Sequence, residues 1–152
     1  MIARASVSLR PATAADRFLI RRWLAEPHVA AWWGTRDSAE AKITLAMESS
    51  SALCRMIVVD GTPAGYAHAV DLGLSGEPLP RDVPPGAYEI DAFIGSAQHR
   101  GQGIGGTAVR RLTGEVFATT LSSACCVFPS IRNETAVRAF EKAGFAWRRI
   151  WQ

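Results

Sequence analysis

The chain has 152 residues, of which 48% are hydrophobic and 20% charged, a composition typical of one soluble globular domain with its own apolar core. No apolar run approaches the roughly 20 residues that span a bilayer, and the N-terminus lacks the apolar segment of a secretory signal. The net charge of +3 comes from scattered basic residues without aromatic interleaving, which disfavours a nucleic-acid module. We therefore expect a single domain over residues 1–152, with neither a membrane nor a nucleic acid as partner.

The three cysteines are Cys54, Cys125 and Cys126. An odd count with two adjacent members does not form a disulfide framework and fits a reducing compartment, so a cytoplasmic location is expected. Cys125 and Cys126 lie in an apolar run without a nearby histidine or basic group. They are therefore expected to be small buried hydrophobes rather than nucleophiles.

The first third of the chain predicts a strand followed by two helices. Residues 6–10 are predicted to form a short strand. Thr13 and Asp16 have the spacing of an N-terminal capping box, and the helix that they begin is expected to stop at Pro27. A second helix is expected to begin at Asp37 or Ser38 and to run to about Ser50.

The middle of the chain predicts a hairpin and a long loop. Residues 53–60 and 64–72 flank Asp-Gly-Thr-Pro, a strong turn signal, so they are expected to pair as antiparallel strands. Residues 73–86 contain three glycines and four prolines and are predicted to form a loop.

The last third predicts a strand over 87–95, a helix over 103–119 and a strand over 122–128. Because a helix connects these two strands, we expect them to be parallel neighbours. A last helix is expected from Asn133 to Ala143, ended by Gly144, and a final strand over 145–151. Phe145 should pack on Phe140 across the helix end. This element order indicates a mixed α/β domain.

A glycine-rich segment follows strand 87–95 and opens the next helix. It comprises Arg100, Gly101, Gln102, Gly103, Ile104, Gly105 and Gly106. A helix N-terminus offers free N–H groups and a partial positive charge, and glycines let the backbone approach an anion closely. Four glycines in six residues exceed what a tight turn requires, so the segment predicts a phosphate cradle.

Three patterns compete for this segment. Gly101, Gly103 and Gly106 fit the dinucleotide fingerprint G-x-G-x-x-G, but the acidic residue expected about 20 positions later is missing. A P-loop is excluded because no Gly-Lys-Ser/Thr follows. The third pattern, R-x-x-G-x-G, is formed by Arg100, Gly103 and Gly105.

This third pattern resembles the signature Q/R-x-x-G-x-G/A of the GNAT N-acetyltransferases. Residues 133–145 (NETAVRAFEKAGF) resemble the second motif of the same family, and the element order matches its fold. Three further pieces are similar to the aminoglycoside 6′-N-acetyltransferases: HVAAWWG at 28–34, GYAHA at 65–69 and EIDAF at 89–93. The resemblance implies a single-domain GNAT fold, in which helices flank a mixed central sheet with two splayed parallel strands.

The resemblance also implies a donor site for acetyl-coenzyme A, without a metal. The pyrophosphate would lie on the main-chain amides of residues 102–106, with the pantetheine arm against the backbone of Phe93 and Ile94. Asn133 would contact the arm, although a helix cap explains this residue equally well. Arg138 would contact a phosphate, although a solvated helix face is the alternative.

For the acceptor site, the resemblance points to Asp91 as general base. Glu89 shares its strand face, so two carboxylates could hold a cationic amine and take its proton; the alternative is a cross-strand salt bridge to an arginine. His28, Trp32 and Trp33 match the subfamily and would line the acceptor pocket. The alternative is that one tryptophan belongs to the core and the other to the surface.

Two departures from the family keep the acceptor open. Phe140 stands where the family often has a tyrosine that protonates the leaving thiolate, and the loop at 73–86 lacks the aromatic, acidic character of the aminoglycoside enzymes. An aminoglycoside is the favoured amine. The alternatives are a polyamine, a siderophore precursor, a protein terminus, or a coenzyme A-binding module without catalysis. GNAT domains usually carry one more strand beside the one predicted at 145–151, so a homodimer through this open edge is a further hypothesis.

Overall fold

The computed structural model describes residues 6–148 and 150. Their strands form one five-stranded sheet in the order β1-β2-β3-β4-β5. Neighbouring strands are antiparallel except for β4 and β5, which are parallel. The strands are β1 (Val7–Pro11), β2 (Leu53–Val59), β3 (Thr62–Asp71), β4 (Tyr88–Ile94) and β5 (Cys125–Cys126). The helices are α1 (Arg17–Leu24), α2 (Pro27–Trp33), α3 (Arg36–Glu48), α4 (Ile104–Thr119) and α5 (Glu134–Lys142).

Helices cover both faces of the sheet, because successive strand residues point to opposite sides. On one face Ile57 and Ile90 pack with Leu112 of α4, and on the other Met56 and Phe93 pack with residues of α1, α2 and α3. The predicted mixed α/β architecture is confirmed. Within the described part of the chain, no helix combines the length and hydropathy needed to cross a membrane.

The predicted hairpin is confirmed, with a turn tighter than expected. Asp60 and Gly61 have φ of 48° and 85°, as in a two-residue type I′ turn, and Val59 pairs with Thr62. The strand β3 therefore begins before Pro63 instead of after it. A register shift in the β2–β3 pairing accommodates the proline, which cannot donate to a ladder.

The helices of the first third differ from the prediction. The capping box is present, and the Asp16 carboxylate accepts the Thr13 N–H at 2.8 Å, but α1 ends at Leu24. Residues 27–33 form the unpredicted helix α2, because a proline is also favourable at the first helical position. Helix α3 then begins before residue 38, since Thr35 is its cap and accepts a hydrogen bond from Ser38 N–H at 3.2 Å.

The strands of the last third are shorter than predicted. The strand expected over 122–128 is reduced to Cys125–Cys126. Before it, the Ser122 hydroxyl bonds both the N–H and the carbonyl of Ala124, and such local bonds compete with strand pairing. The prediction of a strand over 145–151 is wrong for residues 145–148 and 150, which form no strand. The two-residue strand β5 offers too short an edge for another strand to pair with. Residues 149, 151 and 152 lie outside the described residues.

The predicted end of α5 is confirmed in detail. Phe145 N–H donates to the Phe140 carbonyl at 3.0 Å and Gly144 N–H donates to the Glu141 carbonyl at 3.0 Å, the two bonds of a Schellman motif. Gly144 has φ of 107°, and the rings of Phe140 and Phe145 meet edge to face with centroids 5.9 Å apart. Phe140 is therefore a structural residue of this helix end.

Candidate active site

The glycine segment joins the end of β4 to the start of α4. Gly101 and Gly103 adopt φ of 73° and 74°, a left-handed conformation that favours glycine. Gly103 is the N-cap of α4 and has no side chain with which to bond the first-turn N–H groups. The helix start can therefore present main-chain donors to an anion.

A cleft of about 1320 Å³ extends from this segment along β4. The ladder between β4 and β5 has only two pairs, Tyr88 with Cys125 and Glu89 with Cys126, after which no further pair joins the strands. The end of β4, from Ala92 to Ile94, lines the cleft together with the start of α5. A linear acyl carrier could therefore lie in the gap beside the main chain of β4.

All members of the glycine segment line this cleft except Gln102, whose side-chain amide donates to the Gln98 carbonyl at 2.7 Å. Its main-chain amide remains part of the predicted cradle. Gly106 also lies close to α5, because a Cβ at this position would approach the Ala139 carbonyl oxygen to 3.3 Å. The segment thus combines an exposed backbone with close packing of α4 on α5.

Among the residues that the structure describes, five lysine and arginine side chains line the cleft, and the sequence analysis did not single out three of them. They are Arg100, Arg110, Arg132, Arg138 and Lys142. Arg110 Nη2 donates to the Lys142 carbonyl at 3.0 Å and so ties α4 to α5. Helical spacing could have indicated two of the missed residues, since Arg110 lies one turn beyond Gly106 and Lys142 lies one turn beyond Arg138. The cleft is accordingly suited to an anionic ligand.

The two predicted carboxylates lie on the sheet face that α3 covers. Asp91 is paired in register with His68 of β3, and its Oδ2 accepts a hydrogen bond from Lys42 Nζ of α3 at 3.1 Å. Its Oδ1 accepts the N–H of Ala92 at 2.9 Å. The salt bridge considered from sequence is therefore present, but its cation is a lysine from a helix instead of a cross-strand arginine. Glu89 and Asp91 do not line the cleft, which Asp91 adjoins through Ala92.

Burial makes both carboxyl groups weaker acids. It raises the pKa of Asp91, against the opposing effect of the Lys42 charge and its hydrogen bond. It likewise raises the pKa of Glu89, and there the nearby Asp91 charge adds to the increase. A carboxylate with a raised pKa holds a proton more readily near neutral pH, as a general base requires.

The two tryptophans of α2 have different environments. Trp33 belongs to an aromatic cluster, with its ring centroid 5.2 Å from Phe93 and 5.8 Å from His68. Lys42 Nζ lies over the same ring, 5.1 Å from its centroid. Trp32 is 48% exposed. Both nevertheless line the cleft, so a core or surface position does not exclude the predicted contact with an acceptor.

Tyr66 and His68 are fully buried on the same face, and the sequence interpretation missed both. Tyr66 Oη and His68 Nδ1 are 2.8 Å apart, and His68 Nε2 has no hydrogen-bond partner among the described residues. Burial lowers the pKa of His68 to about 3, so its imidazole is neutral at physiological pH. The sequence could have indicated this pair, because a spacing of two residues on a predicted strand places both side chains on one face.

His28 and Asn133 make contacts that bear on their predicted roles. His28 Nε2 donates to the Ile94 carbonyl at 2.8 Å, because a carbonyl oxygen can only accept, and this bond ties α2 to the end of β4. It uses a backbone group that the resemblance assigns to the pantetheine arm. Asn133 Oδ1 accepts the Ala136 N–H at 3.2 Å, so its capping role is present, while its side chain also lines the cleft.

Comparison with known proteins places this geometry in a family. Residues 12–152 match the model of the acetyltransferase (GNAT) domain. The chain is 32% identical over 151 residues to aminoglycoside N(6′)-acetyltransferase type 1 of Klebsiella pneumoniae and to that of Serratia marcescens. Each match covers 92% of this chain and 74% of the relative.

Comparison with solved structures supports the same family. Aminoglycoside acetyltransferase AAC(6′)-Ib in complex with coenzyme A and kanamycin aligns with a TM-score of 0.81 at 29% identity, covering 94% of this chain and 86% of that one. Spermidine N-acetyltransferase of Vibrio cholerae, in complex with coenzyme A and spermine, shares the fold with a TM-score of 0.72 at 15% identity. That match covers 94% of this chain and 82% of the other. From the family model, the curated relatives and the five-stranded mixed sheet together, we conclude that the chain belongs to the GNAT family of N-acetyltransferases.

Proposed function

We propose that this protein transfers the acetyl group of acetyl-coenzyme A to a primary amine of an aminoglycoside, at the 6′-amino group. The observation that carries the proposal is the continuity of one cleft, which joins the glycine segment, the open side of β4 and the tryptophans of α2. A donor bound at one end and an acceptor bound at the other can therefore meet beside Ala92. The named relatives, which are aminoglycoside N(6′)-acetyltransferases, support this acceptor.

The donor end has the chemistry that acetyl-coenzyme A requires. Main-chain amides at the start of α4 can hold the pyrophosphate, and the five basic side chains of the cleft supply the charge for its phosphates. Where β4 and β5 no longer pair, main-chain groups near Phe93 remain for the amides of the pantetheine arm. Hydrogen bonds along the arm would place the thioester near Asp91, in the middle of β4.

The reaction itself is a direct acyl transfer. The neutral amine attacks the thioester carbonyl carbon, the new C–N bond forms, the C–S bond breaks with coenzyme A leaving as its thiolate, and the amine proton passes to a base. An alkyl ammonium has a pKa near 10.4, so a base must remove its proton near neutral pH. Asp91 shares its sheet face with Phe93, which lines the cleft, and can take this proton through one water.

A cysteine intermediate is disfavoured by the same structure. Burial raises the pKa of Cys125 to about 11, and it also raises the pKa values of Cys54 and Cys126. These thiols are therefore protonated at neutral pH and poor nucleophiles. Direct attack of the amine on the thioester needs no such group.

Two broader predictions belong to the same proposal. The three cysteines are free, which supports the cytoplasmic location expected for this enzyme. Pairing of two copies through the open C-terminal edge of the sheet stays a prediction, supported by the exposed side chains of Phe128 and Ile131 just after β5.

The proposal is tested by measuring thiol release from acetyl-coenzyme A with kanamycin-type aminoglycosides, polyamines and simple primary amines. We expect release with the aminoglycosides that have a 6′-amino group and none with analogues that have a 6′-hydroxyl group. Release with a polyamine alone would replace the acceptor. Tight binding of coenzyme A without release by any amine would replace catalysis with a binding role.

The donor end gives a separate prediction. Arg138→Ala should weaken coenzyme A binding about tenfold in a calorimetric titration, since one charge-assisted contact to a phosphate is removed. Arg111→Ala is the matched control, because Arg111 is exposed on α4 and does not line the cleft. Equal affinities for the two variants would show that Arg138 belongs to a solvated helix face instead.

A further inference from the structure

The acceptor end of the site already holds an ammonium group of the protein. Lys42 Nζ is 3.1 Å from Asp91 Oδ2 and 5.1 Å from the centroid of the Trp33 ring. A carboxylate and an aromatic face are the two groups that we assign to the amine of the acceptor. A primary ammonium from α3 thus occupies the position that a primary ammonium from the substrate would take.

We propose that Lys42 is a resident cation of the acceptor site, which the acceptor ammonium must displace from Asp91 and Trp33. This inference rests on the proposed function, since it names a specificity-determining residue of the same site. Lys42 then weakens the binding of every acceptor that presents a charged amine to Asp91. An acceptor is selected by how well its remaining contacts compensate for this competition.

Competition follows from how the Asp91 carboxylate is used. Its Oδ1 accepts the Ala92 N–H at 2.9 Å, while its Oδ2 accepts from Lys42. A second ammonium at Oδ2 would lie within a few ångströms of the first, where two like charges repel strongly. Occupation of this oxygen by the substrate therefore favours departure of the lysine.

The Lys42 charge affects the pKa values of three side chains on the sheet face that α3 covers. It opposes the burial effect that raises the pKa of Glu89 and of Asp91, and it adds to the burial effect that lowers the pKa of His68. These groups come from two neighbouring strands. Lys42 therefore acts on both carboxylates proposed to receive the amine.

Lys42 is also able to leave. Its side chain is 46% exposed, and that of Asp91 is 31% exposed, so the pair is partly solvated. Such pairs contribute little net stability, and a lysine stem has several rotatable bonds that allow the ammonium to swing into water. The expected strength of the competition is accordingly modest, about three- to tenfold in acceptor affinity.

The test compares Lys42→Met with wild type and with Arg21→Met. Methionine keeps an unbranched stem near Trp33 but removes the charge. The control removes one positive charge from the same side of the sheet, where Arg21 Nε lies 3.6 Å from Glu40 Oε2. For each protein, KM of a 6′-amino aminoglycoside is measured, and calorimetry gives Kd for this compound and for its 6′-hydroxy analogue.

We expect Lys42→Met to lower both KM and Kd of the 6′-amino compound about fivefold, while Kd of the 6′-hydroxy analogue stays within twofold. Lys42→Arg, which keeps the cation, should resemble wild type, and Arg21→Met should change neither constant by more than twofold. The inference is overturned if Lys42→Met raises KM or leaves it unchanged. It is also overturned if the two aminoglycosides tighten equally, or if Arg21→Met has the same effect.

These outcomes separate the inference from the proposed function. If the wild-type protein acetylates the 6′-amino compound but the Lys42 variants show no selective change, only the resident cation is refuted. If the calorimetric preference appears without thiol release, the resident cation stands and the catalytic proposal falls. If wild type neither binds nor acetylates an aminoglycoside, both fall together.

Discussion

Asp91→Asn is expected to lower kcat/KM for the acceptor about tenfold or more at pH 7, while coenzyme A affinity stays within twofold of wild type. Asparagine keeps the size of the side chain and the oxygen that accepts the Ala92 N–H. It cannot take a proton from the acceptor ammonium. General bases typically contribute a hundredfold or more, and water in the cleft can replace part of this effect.

The pH dependence of kcat/KM should report the titration of Asp91. Burial raises the pKa of Asp91, and only the ionised carboxylate can accept a proton. Activity of wild type should therefore fall as the pH drops through this raised pKa, at a pH above the ordinary range of an aspartate. In Asp91→Asn that acid limb should disappear from the profile of kcat/KM.

The variant Glu89→Gln tests whether a carboxylate on this face acts as a general base or only attracts the cationic acceptor. Glu89 shares the face of Asp91 and also has a raised pKa, but it lies two residues farther along β4 from Ala92, where the strand begins to line the cleft. We expect this variant to raise KM a few fold with little change in kcat, as for weakened attraction of a cation. Equal losses in the two variants, or unchanged kinetics in Asp91→Asn, would remove Asp91 from the role of base.

The features that the sequence predicted correctly depend on residues close together in the chain. The capping box at Thr13, the turn at Asp60 and the helix end at Gly144 each need only a few consecutive positions. The glycine segment is equally local, since a strand, a loop and a helix start follow one another directly. Local chemistry of this kind leaves few alternatives, so a single sequence is sufficient.

The features that it missed join distant parts of the chain. Lys42 and Asp91 are 49 positions apart, and no pattern within α3 or β4 indicates that they meet. Helix α2 was missed for a different reason, because Pro27 is equally compatible with ending one helix and beginning the next. The proposed acceptor site depends mainly on such contacts, whereas the strand, loop and helix start of the glycine segment follow one another in the chain, and this difference explains why the structure of that segment was easier to predict.

The packing around Gly65 gives a physical reason for the glycine in one of the pieces that resemble the aminoglycoside enzymes. Its replacement is expected to be the most destabilising change proposed for this chain. Gly65 lies in the piece GYAHA and is paired in register with Ile94. A Cβ at Gly65 would overlap the Phe93 carbonyl oxygen and lie 3.1 Å from Ile94 Cα. Both obstacles are main chain, so a rotamer change cannot relieve them.

Gly65→Ala should therefore lower the free energy of unfolding by about 3 kcal/mol, measured by urea denaturation. Gly114→Ala is the matched control, because Gly114 lies within α4 and a Cβ there meets no atom within 4 Å. That change should raise the free energy of unfolding by about 0.5–1 kcal/mol, as alanine is the better helix former.

The functional consequence of Gly65→Ala follows from where β4 would have to move. Relief of the clash displaces the main chain at Phe93 and Ile94, which line the cleft beside the proposed pantetheine arm. Coenzyme A affinity should therefore fall together with stability, even under conditions in which the variant is fully folded, whereas Gly114→Ala should bind normally. A loss of less than about 1 kcal/mol with normal binding would show that β3, and not β4, moves to accommodate the methyl group. The close approach of β3 to β4 would then not be what positions β4 beside the proposed pantetheine arm.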